Sequence, residues 1–430
     1  MSLSKCHAFA AGFCLLVQGS LSFADDWPQW GGPQRDIVWR EDGIVQRLPT
    51  DGLLPRVWSS PVGEGYSGPA VADGKVYLTD RIIADQKERV LCFDAATGNQ
   101  LWMKDYPARY TVSYPAGPRA TPVVDSGRVY TVGAVGHLFC FDAITGDEIW
   151  KSNFQTDFGT TLPVWGMAAS PLIDDNRLIT LVGGKNGALV VAFDKVTGKE
   201  IWRSLDDPGV GYCPPVIYEF GGRKQLIIWH PSAVSALDPK TGHVLWEVPW
   251  KIRSGLCIPM PRKSGDYLFL TAFYNGPMML KVGADSAEIA WKGNSNSEKE
   301  DKTDGLHSIM PTPWVDGENI FGVCSYGELR GLDQKSGQRL WVTREATGRG
   351  RWWNAFIVPH EGRFFLHNEQ GELIIAKLTA DGYTEQSRAM LVAPTRKVQR
   401  RMTIWSHPAF AMKSVFARND RELVRVDLSK

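Results

Sequence analysis

One twelve-residue pattern recurs along the chain and limits what it can fold into. Residues 91–102 read LCFDAATGNQLW, and the pattern returns as FCFDAITGDEIW (139–150), VAFDKVTGKEIW (191–202), SALDPKTGHVLW (235–246) and RGLDQKSGQRLW (330–341). A weaker copy, LKVGADSAEIAW, spans 280–291. Each copy opens on a run of β-branched, aromatic or other apolar residues that suits a strand. The Asp then starts a turn, because its carboxylate can accept backbone N–H groups two and three residues on. The Gly after Thr or Ser supplies a positive φ without steric cost. A second strand follows and ends on Trp, a large flat ring suited to packing between sheets. Every copy is therefore a β-hairpin with a packing wedge at its end.

The wedge tryptophans Trp102, Trp150, Trp202, Trp246, Trp291 and Trp341 stand 44 to 52 residues apart. Between them lies a second hairpin. A strand begins near Pro (SGPAV, ATPVV, ASPLI, CPPVI, CIPMP, MPTPWV, FIVP, SHPAF), turns at segments such as ADGK or DSGR, and continues as in VYLTD. Four strands per repeat of this length predict a propeller blade. Eight inner strands can be counted, entered near Tyr66, Arg119, Trp165, Tyr212, Leu256, His307, Trp353 and Trp405. The eighth repeat ends after three strands, while a strand-like segment carrying Trp58 precedes the first repeat without a hairpin partner. The expected fold is all-β: an eight-bladed β-propeller with four antiparallel strands per blade, closed by the N-terminal strand pairing into the last blade. Closure would remove two exposed sheet edges. The fifth repeat lacks the turn Asp and Gly, and in the seventh Met390 stands where the wedge is expected, so these two should be the least regular.

The chain has 48 Lys plus Arg against 47 Asp plus Glu, which argues against nucleic acid as a partner. Residues 1–24 read as a secretory signal peptide: Lys5, an apolar run over 8–21, and Ser22-Phe23-Ala24 as a small-x-small site cut after Ala24. An uncleaved anchor is the alternative, although the run is short for a membrane span. Phe13 before Cys14 is wrong for a lipidation site. Residues 25–52, with DWPQWGGPQRD at 26–36, are expected as an extended, ordered segment, and 53–430 as the propeller. The expected location is therefore outside the cytoplasm, periplasmic or secreted, with no transmembrane span and a monomeric state. Beyond the leader lie Cys92, Cys140, Cys213, Cys257 and Cys324. Cys92 with Cys140, or Cys213 with Cys257, hold equivalent positions in neighbouring repeats and could be bridged, but small buried thiols are the simpler reading.

The Asp-x-x-Thr-Gly turn with its terminal Trp resembles the pyrroloquinoline quinone (PQQ) repeat. That repeat builds the eight-bladed propellers of quinoprotein dehydrogenases and of the outer-membrane assembly lipoprotein BamB. The head DWPQW with GEGYSGPAVADGKVYLTDR is similar to a secreted PQQ-like repeat group. The resemblance implies the fold. For the dehydrogenase branch it would imply PQQ with a Ca²⁺ held by Glu, Asn and Asp, an Asp base and a vicinal Cys pair. No two cysteines are adjacent here.

Segments leading from a wedge strand to the next inner strand (106–118, 154–165, 249–255, 293–306, 343–352 and 391–404) share one face and include the longest loops, which marks it as the binding face. Residues entering the inner strands should ring the channel mouth. The ligand-binding candidates are Tyr66, Arg119, Trp165, Tyr212, His307, Trp353, Asn354, Trp405 and His407, with Cys257 beside them. The last two loops carry Arg349, Arg351, Lys397, Arg400 and Arg401, a local basic sector suited to an anion. By contrast 298–304 reads as a solvated polar loop. No nucleophile–base motif such as G-x-S-x-G is present. The function expected is binding or scaffolding: a protein segment, an anionic glycan or a small anion held at the long-loop face, without catalytic residues or a metal. A PQQ-dependent alcohol or sugar dehydrogenase is the alternative.

Overall fold

The computed structural model describes residues 26–430; the expected leader, 1–24, lies outside the described residues. Eight four-stranded antiparallel sheets follow one another along the chain. The first consists of Ala70–Ala72, Lys75–Ile82, Lys87–Asp94 and Gln100–Pro107, and six more repeat that order through Gly382–Met390. In the eighth, Ala409–Ala411, Ser414–Arg418 and Glu422–Asp427 are completed by Trp58–Pro61, in the register Trp58↔Arg425 to Pro61↔Glu422. The expected closure is thus observed. Among the described residues no helix is long and apolar enough to cross a membrane.

The repeated hairpin works as a joint between blades. In the first copy the Asp94 carboxylate accepts from the N–H groups of Ala96 and Thr97, and Gly98 takes φ +74°. The Trp58 ring of the preceding blade lies directly against Gly98: a Cβ built there would sit 2.6 Å from the ring. Trp58 also donates its indole N–H to Ala95 O at 2.9 Å. The same pair of contacts joins Trp102 to Ala143 and Gly146, Trp150 to Lys195 and Gly198, Trp202 to Pro239 and Gly242, and Trp291 to Gln334 and Gly337. The turn Gly is therefore required twice, for its backbone conformation and for the absence of a Cβ. Gly127 has φ +72° but nothing within 4 Å of a built Cβ, so it isolates the first requirement. Gly127→Ala should cost about 1–2 kcal/mol, the left-handed penalty alone. Gly98→Ala should cost about 1–3 kcal/mol more through overpacking against Trp58. Urea midpoints of the two variants check this, and equal midpoints would refute the joint.

The two irregular repeats are repaired in different ways. The fifth has no Asp–Gly turn, so Trp246 instead donates to Gln225 Oε1 at 2.7 Å, and Gln225 Nε2 donates to the carbonyls of Gly283 and Ala284. In the seventh, the strand register places Ser387, not Met390, at the wedge position: a bulge follows the pair Ile375↔Ser387 as it follows Cys92↔Trp102. The N-terminal segment fills the resulting space. Leu48 N–H donates to Ser387 Oγ, and residues 52–54 bond the backbone of Met390. Trp341, facing this seventh blade, is only half-buried and donates to Thr379 O at 2.8 Å.

Residues 26–52 do more than extend along the surface. Trp27 pairs with Val71 across an isolated bridge, and Val124 N–H donates to Pro28 O. These contacts carry the chain into the channel from the face opposite the long loops. Arg35, 3% exposed, then donates to Pro215 O, Pro171 O and Ser170 O at 2.7–2.9 Å and to Gln29 Oε1. The chain leaves over Trp39, packed on His360, Phe365 and Phe410. The segment is a plug.

Candidate functional site

The plug turns the channel into a cup. A cavity of about 230 Å³ opens among the long loops, with Trp30, Phe356 and His407 among its lining. Because Trp30 belongs to the plug and donates to His407 Nε2 at 3.1 Å, these residues form the floor. The walls are aromatic, each ring brought by a different segment: Tyr66, Tyr114, Trp165, Tyr212, Tyr274, Trp352 and Trp405. They contact one another edge to face, Trp165 with Tyr212 at 5.8 Å and Tyr114 with both Trp405 and Trp352 at 5.7 and 6.1 Å. Such pairs hold a preformed shape and leave ring faces for a guest.

Six of the nine ligand candidates line this cup: Tyr66, Arg119, Trp165, Tyr212, Trp405 and His407. The other three lie elsewhere. His307 is fully buried between the fifth and sixth blades, bonded to Asp304 Oδ1 at 3.1 Å. That bond holds the Asp304 carboxyl down, from 3.8 to about 2. Trp353 is buried against Gly327 and Gly348. Its neighbour Trp352 faces the cup instead, because Trp352 takes φ +67° and shifts the alternation by one residue. Asn354 is fully buried, its side-chain amide without a partner among the described residues, while its carbonyl accepts from Glu369 N–H. Cys257 is also buried outside the lining, and all five described cysteines are free.

Tyr114, Tyr274, Trp352 and Trp30 were not legible as cup residues from strand position. Tyr114 reaches inward from a residue at φ +53°. Tyr274 comes from a short turn within the fifth blade. Trp30 comes from the plug. The only available signal was an aromatic residue in a turn beside Gly or Pro, as in SYPAG and FYNGP.

The basic sector is largely neutralised. Arg349 pairs with Glu300 at 3.1 Å and Arg351 with Glu298 at 3.3 Å, so the polar loop 298–304 is tied down on the basic one. Arg401 pairs with the fully buried Glu369, whose pKa burial raises, and Trp405 donates to the same carboxylate at 3.1 Å. Lys397 and Arg400 remain exposed and without an ion pair among the described residues, on a small hairpin formed by Arg396–Val398 and Arg401–Thr403. These five residues therefore form no single pocket: three support the loops around the cup and two stand free.

Arg119 differs from them. Its guanidinium donates to Gly117 O at 2.5 Å, Ser113 O at 2.9 Å and Tyr114 O at 2.6 Å, packs 5.1 Å from the Tyr66 ring centroid, and is in no ion pair among the described residues, with Glu88 acting on it only through space. Burial pushes its pKa down. Among the described residues no Asp or Glu lines the cup. A serine–histidine–carboxylate array does occur in the fourth blade, with His230 Nδ1 at 2.6 Å from Asp207 and Nε2 at 3.0 Å from Ser235 Oγ. Ser235 is fully buried and is hydrogen-bonded to Glu247, so the array braces a loop and presents no nucleophile.

The sequence and fold match known proteins in the same sense. A family model described as outer membrane protein assembly factor BamB matches residues 86–343 and again 230–430. No curated protein matches the sequence. BamB from Moraxella catarrhalis is similar in structure, at TM-score 0.58 and 15% identity over 87% of this chain and 99% of that one. The quinohemoprotein alcohol dehydrogenase from Comamonas testosteroni aligns at TM-score 0.62 and 15% identity, over 94% of this chain and 81% of that one. The computationally designed Ika8 protein aligns at TM-score 0.53 and 11% identity, over 89% and 100%. At these identities the structural likeness carries the fold alone. The family match covers most of the chain, and with the eight closed blades and their wedge hairpins it shows that the chain belongs to the BamB-like family of PQQ-repeat β-propellers.

Proposed function

We propose that this chain is an exported binding propeller, released from its leader after Ala24, that holds a small ligand in the cup at the mouth of its channel. The observation that carries the reading is the blind end. A propeller used only as a scaffold has no need of a preformed aromatic cavity closed beneath by its own N-terminal segment. The loops around the cup, braced by the Glu298, Glu300 and Glu369 ion pairs, are the rim against which a partner protein segment would rest. Lys397 and Arg400 on that rim suit an acidic partner or an anionic glycan.

The alternative is a PQQ-dependent dehydrogenase, and the lining fits it poorly. A hard cation beside the quinone needs several oxygen ligands, carboxylates among them. Among the described residues no carboxylate lines the cup, and no group of three or more His, Cys, Asp or Glu is placed to hold a metal.

The test is to fill the cup. Ala168 is a half-buried part of its lining. The wild type should be stabilised against heat by at least one member of a small-molecule set, and Ala168→Trp by none. A wild type that responds to no compound would refute the reading. Reduction of a dye with an alcohol after addition of PQQ and Ca²⁺ would replace it with the dehydrogenase.

A further inference from the structure

We propose that the cup is a receptor for the oxyanion of a small acid with an apolar body, and that the N-terminal plug completes its donor set by fixing the tautomer of His407. The proposal rests on the reading of the cup as a ligand site and names the class of ligand.

The argument begins at the floor. Trp30 Nε1 lies 3.1 Å from His407 Nε2. An indole N–H can only donate. His407 Nε2 must therefore carry a lone pair, and the ring proton of the neutral imidazole sits on Nδ1. That nitrogen has no hydrogen-bond partner among the described residues, and because His407 lines the cup as well as a smaller cavity beside the plug, the proposal assigns its N–H to the cup. The ring itself is held in place, 4.1 Å from Phe356 and edge-on to Trp30. Burial and the neighbouring His367 keep the imidazole neutral, pushing its pKa down to about 3, so the tautomer persists at ordinary pH.

The remaining polar groups favour the same kind of guest. Among the described residues Arg119 contributes the one formal charge in the lining, held by backbone carbonyls and in no ion pair, with Glu88 acting on it only through space. In a site of low polarity that charge acts strongly on an incoming anion. A sugar needs strong acceptors for its hydroxyl groups, and among the described residues the lining side chains offer serine and tyrosine hydroxyls but no carboxylate and no amide. A quaternary ammonium would find the aromatic faces it prefers, but would face Arg119. What fits is an acid whose carboxylate or sulfonate meets Arg119 and His407 Nδ1–H while its body packs on Trp165, Trp352, Trp405 and the aliphatic side of the cup at Ile309 and Met310.

Two measurements on the full chain test this. In ¹⁵N NMR spectra the His407 ring should show a protonated Nδ1 and an unprotonated Nε2. Trp30→Phe, which keeps the floor's bulk but removes the indole donor, should release the ring toward the Nε2–H form. Titration should use three matched probes, 3-phenylpropionate, its amide and phenethyl-trimethylammonium. The acid should bind about tenfold tighter than the amide, the size of one charged hydrogen bond. Arg119→Gln should abolish that preference, and Trp30→Phe should reduce it. Equal binding of all three, or a preference for the ammonium, would overturn the proposal and leave the cup as a ligand site. An Nε2–H tautomer in the wild type would overturn the role of the plug. Binding of none of the three would overturn the proposal, while a response to other members of the small-molecule set would leave the cup as a ligand site.

Discussion

Trp58→Ala should destabilise the propeller by about 3–5 kcal/mol, the range for emptying a buried Trp site. It should be the most damaging substitution among the wedges. Its ring is 8% exposed, lies against Gly98 and donates to Ala95 O. The other wedges sit on strands that a turn joins to the rest of their blade. Trp58 sits on the closing strand, held to Glu422–Asp427 by backbone pairing and to its surroundings by ion pairs such as Arg56 with Glu422. Loss of the wedge loosens that strand, and with it the seam between the last blade and the first. Trp341→Ala is the internal comparison. Trp341 is half-buried on a turn-linked strand, so it should cost only about 1.5–3 kcal/mol on area grounds. The check is the difference in urea midpoint between the two variants. Equal midpoints would show that the seam is no weaker than any other blade junction.

Arg35→Ala should cost a similar amount by a different route. The guanidinium is desolvated, its pKa lowered to about 9, and its hydrogen bonds go to three backbone carbonyls and one amide oxygen. Removing it strands Ser170 O, Pro171 O and Pro215 O inside the channel, each at about 1–3 kcal/mol unless water enters. The expected total is about 3–5 kcal/mol. Arg35→Lys should recover little, because an ammonium is a point charge that cannot span carbonyls from two blades as a planar fork does. The outcome should be local as well as global. Protease should cut within residues 26–40 in the variant at concentrations that leave the wild type whole, and the cup should lose its floor. A variant of unchanged midpoint and protease resistance would show that the plug is held without Arg35, by its other contacts such as Trp27, Trp39 and the Arg262 bond to Asp36 O.

The blades were legible because their code is local. A run of strand-forming residues, an Asp that accepts two N–H groups, a Gly that takes φ above +70° and a terminal Trp lie within twelve residues. Each constraint acts on the backbone of that same segment. Closure was legible for a related reason: a three-stranded repeat at one end and an unpaired strand at the other have one way to satisfy their edges. Where the local code lapses, the sequence misleads. Met390 stands near the wedge position, yet a bulge at Gln386, just before Ser387, sets the register, and a bulge depends on pairing with Glu372–Thr379. The partner that repairs the gap, Leu48, lies more than three hundred residues away.

The cup was legible only in part. Strand order alone brought Tyr66, Arg119, Trp165, Tyr212, Trp405 and His407 to the mouth, since each enters an inner strand and the ring places those entries together. Whether a ring faces the cavity or its neighbour depends on a single backbone torsion, as at Trp352 and Trp353, and no pattern of residue types fixes it. The charges follow the same division. The sequence shows arginines in two loops and acids in a third, and only folding sets Glu298 and Glu300 upon Arg351 and Arg349 and buries Glu369 beneath Arg401. The sequence by itself determined the fold, because turns and wedges are short-range. The tertiary structure decided the site, because its floor, walls and charge balance come from segments that meet only when the ring has closed around the plug.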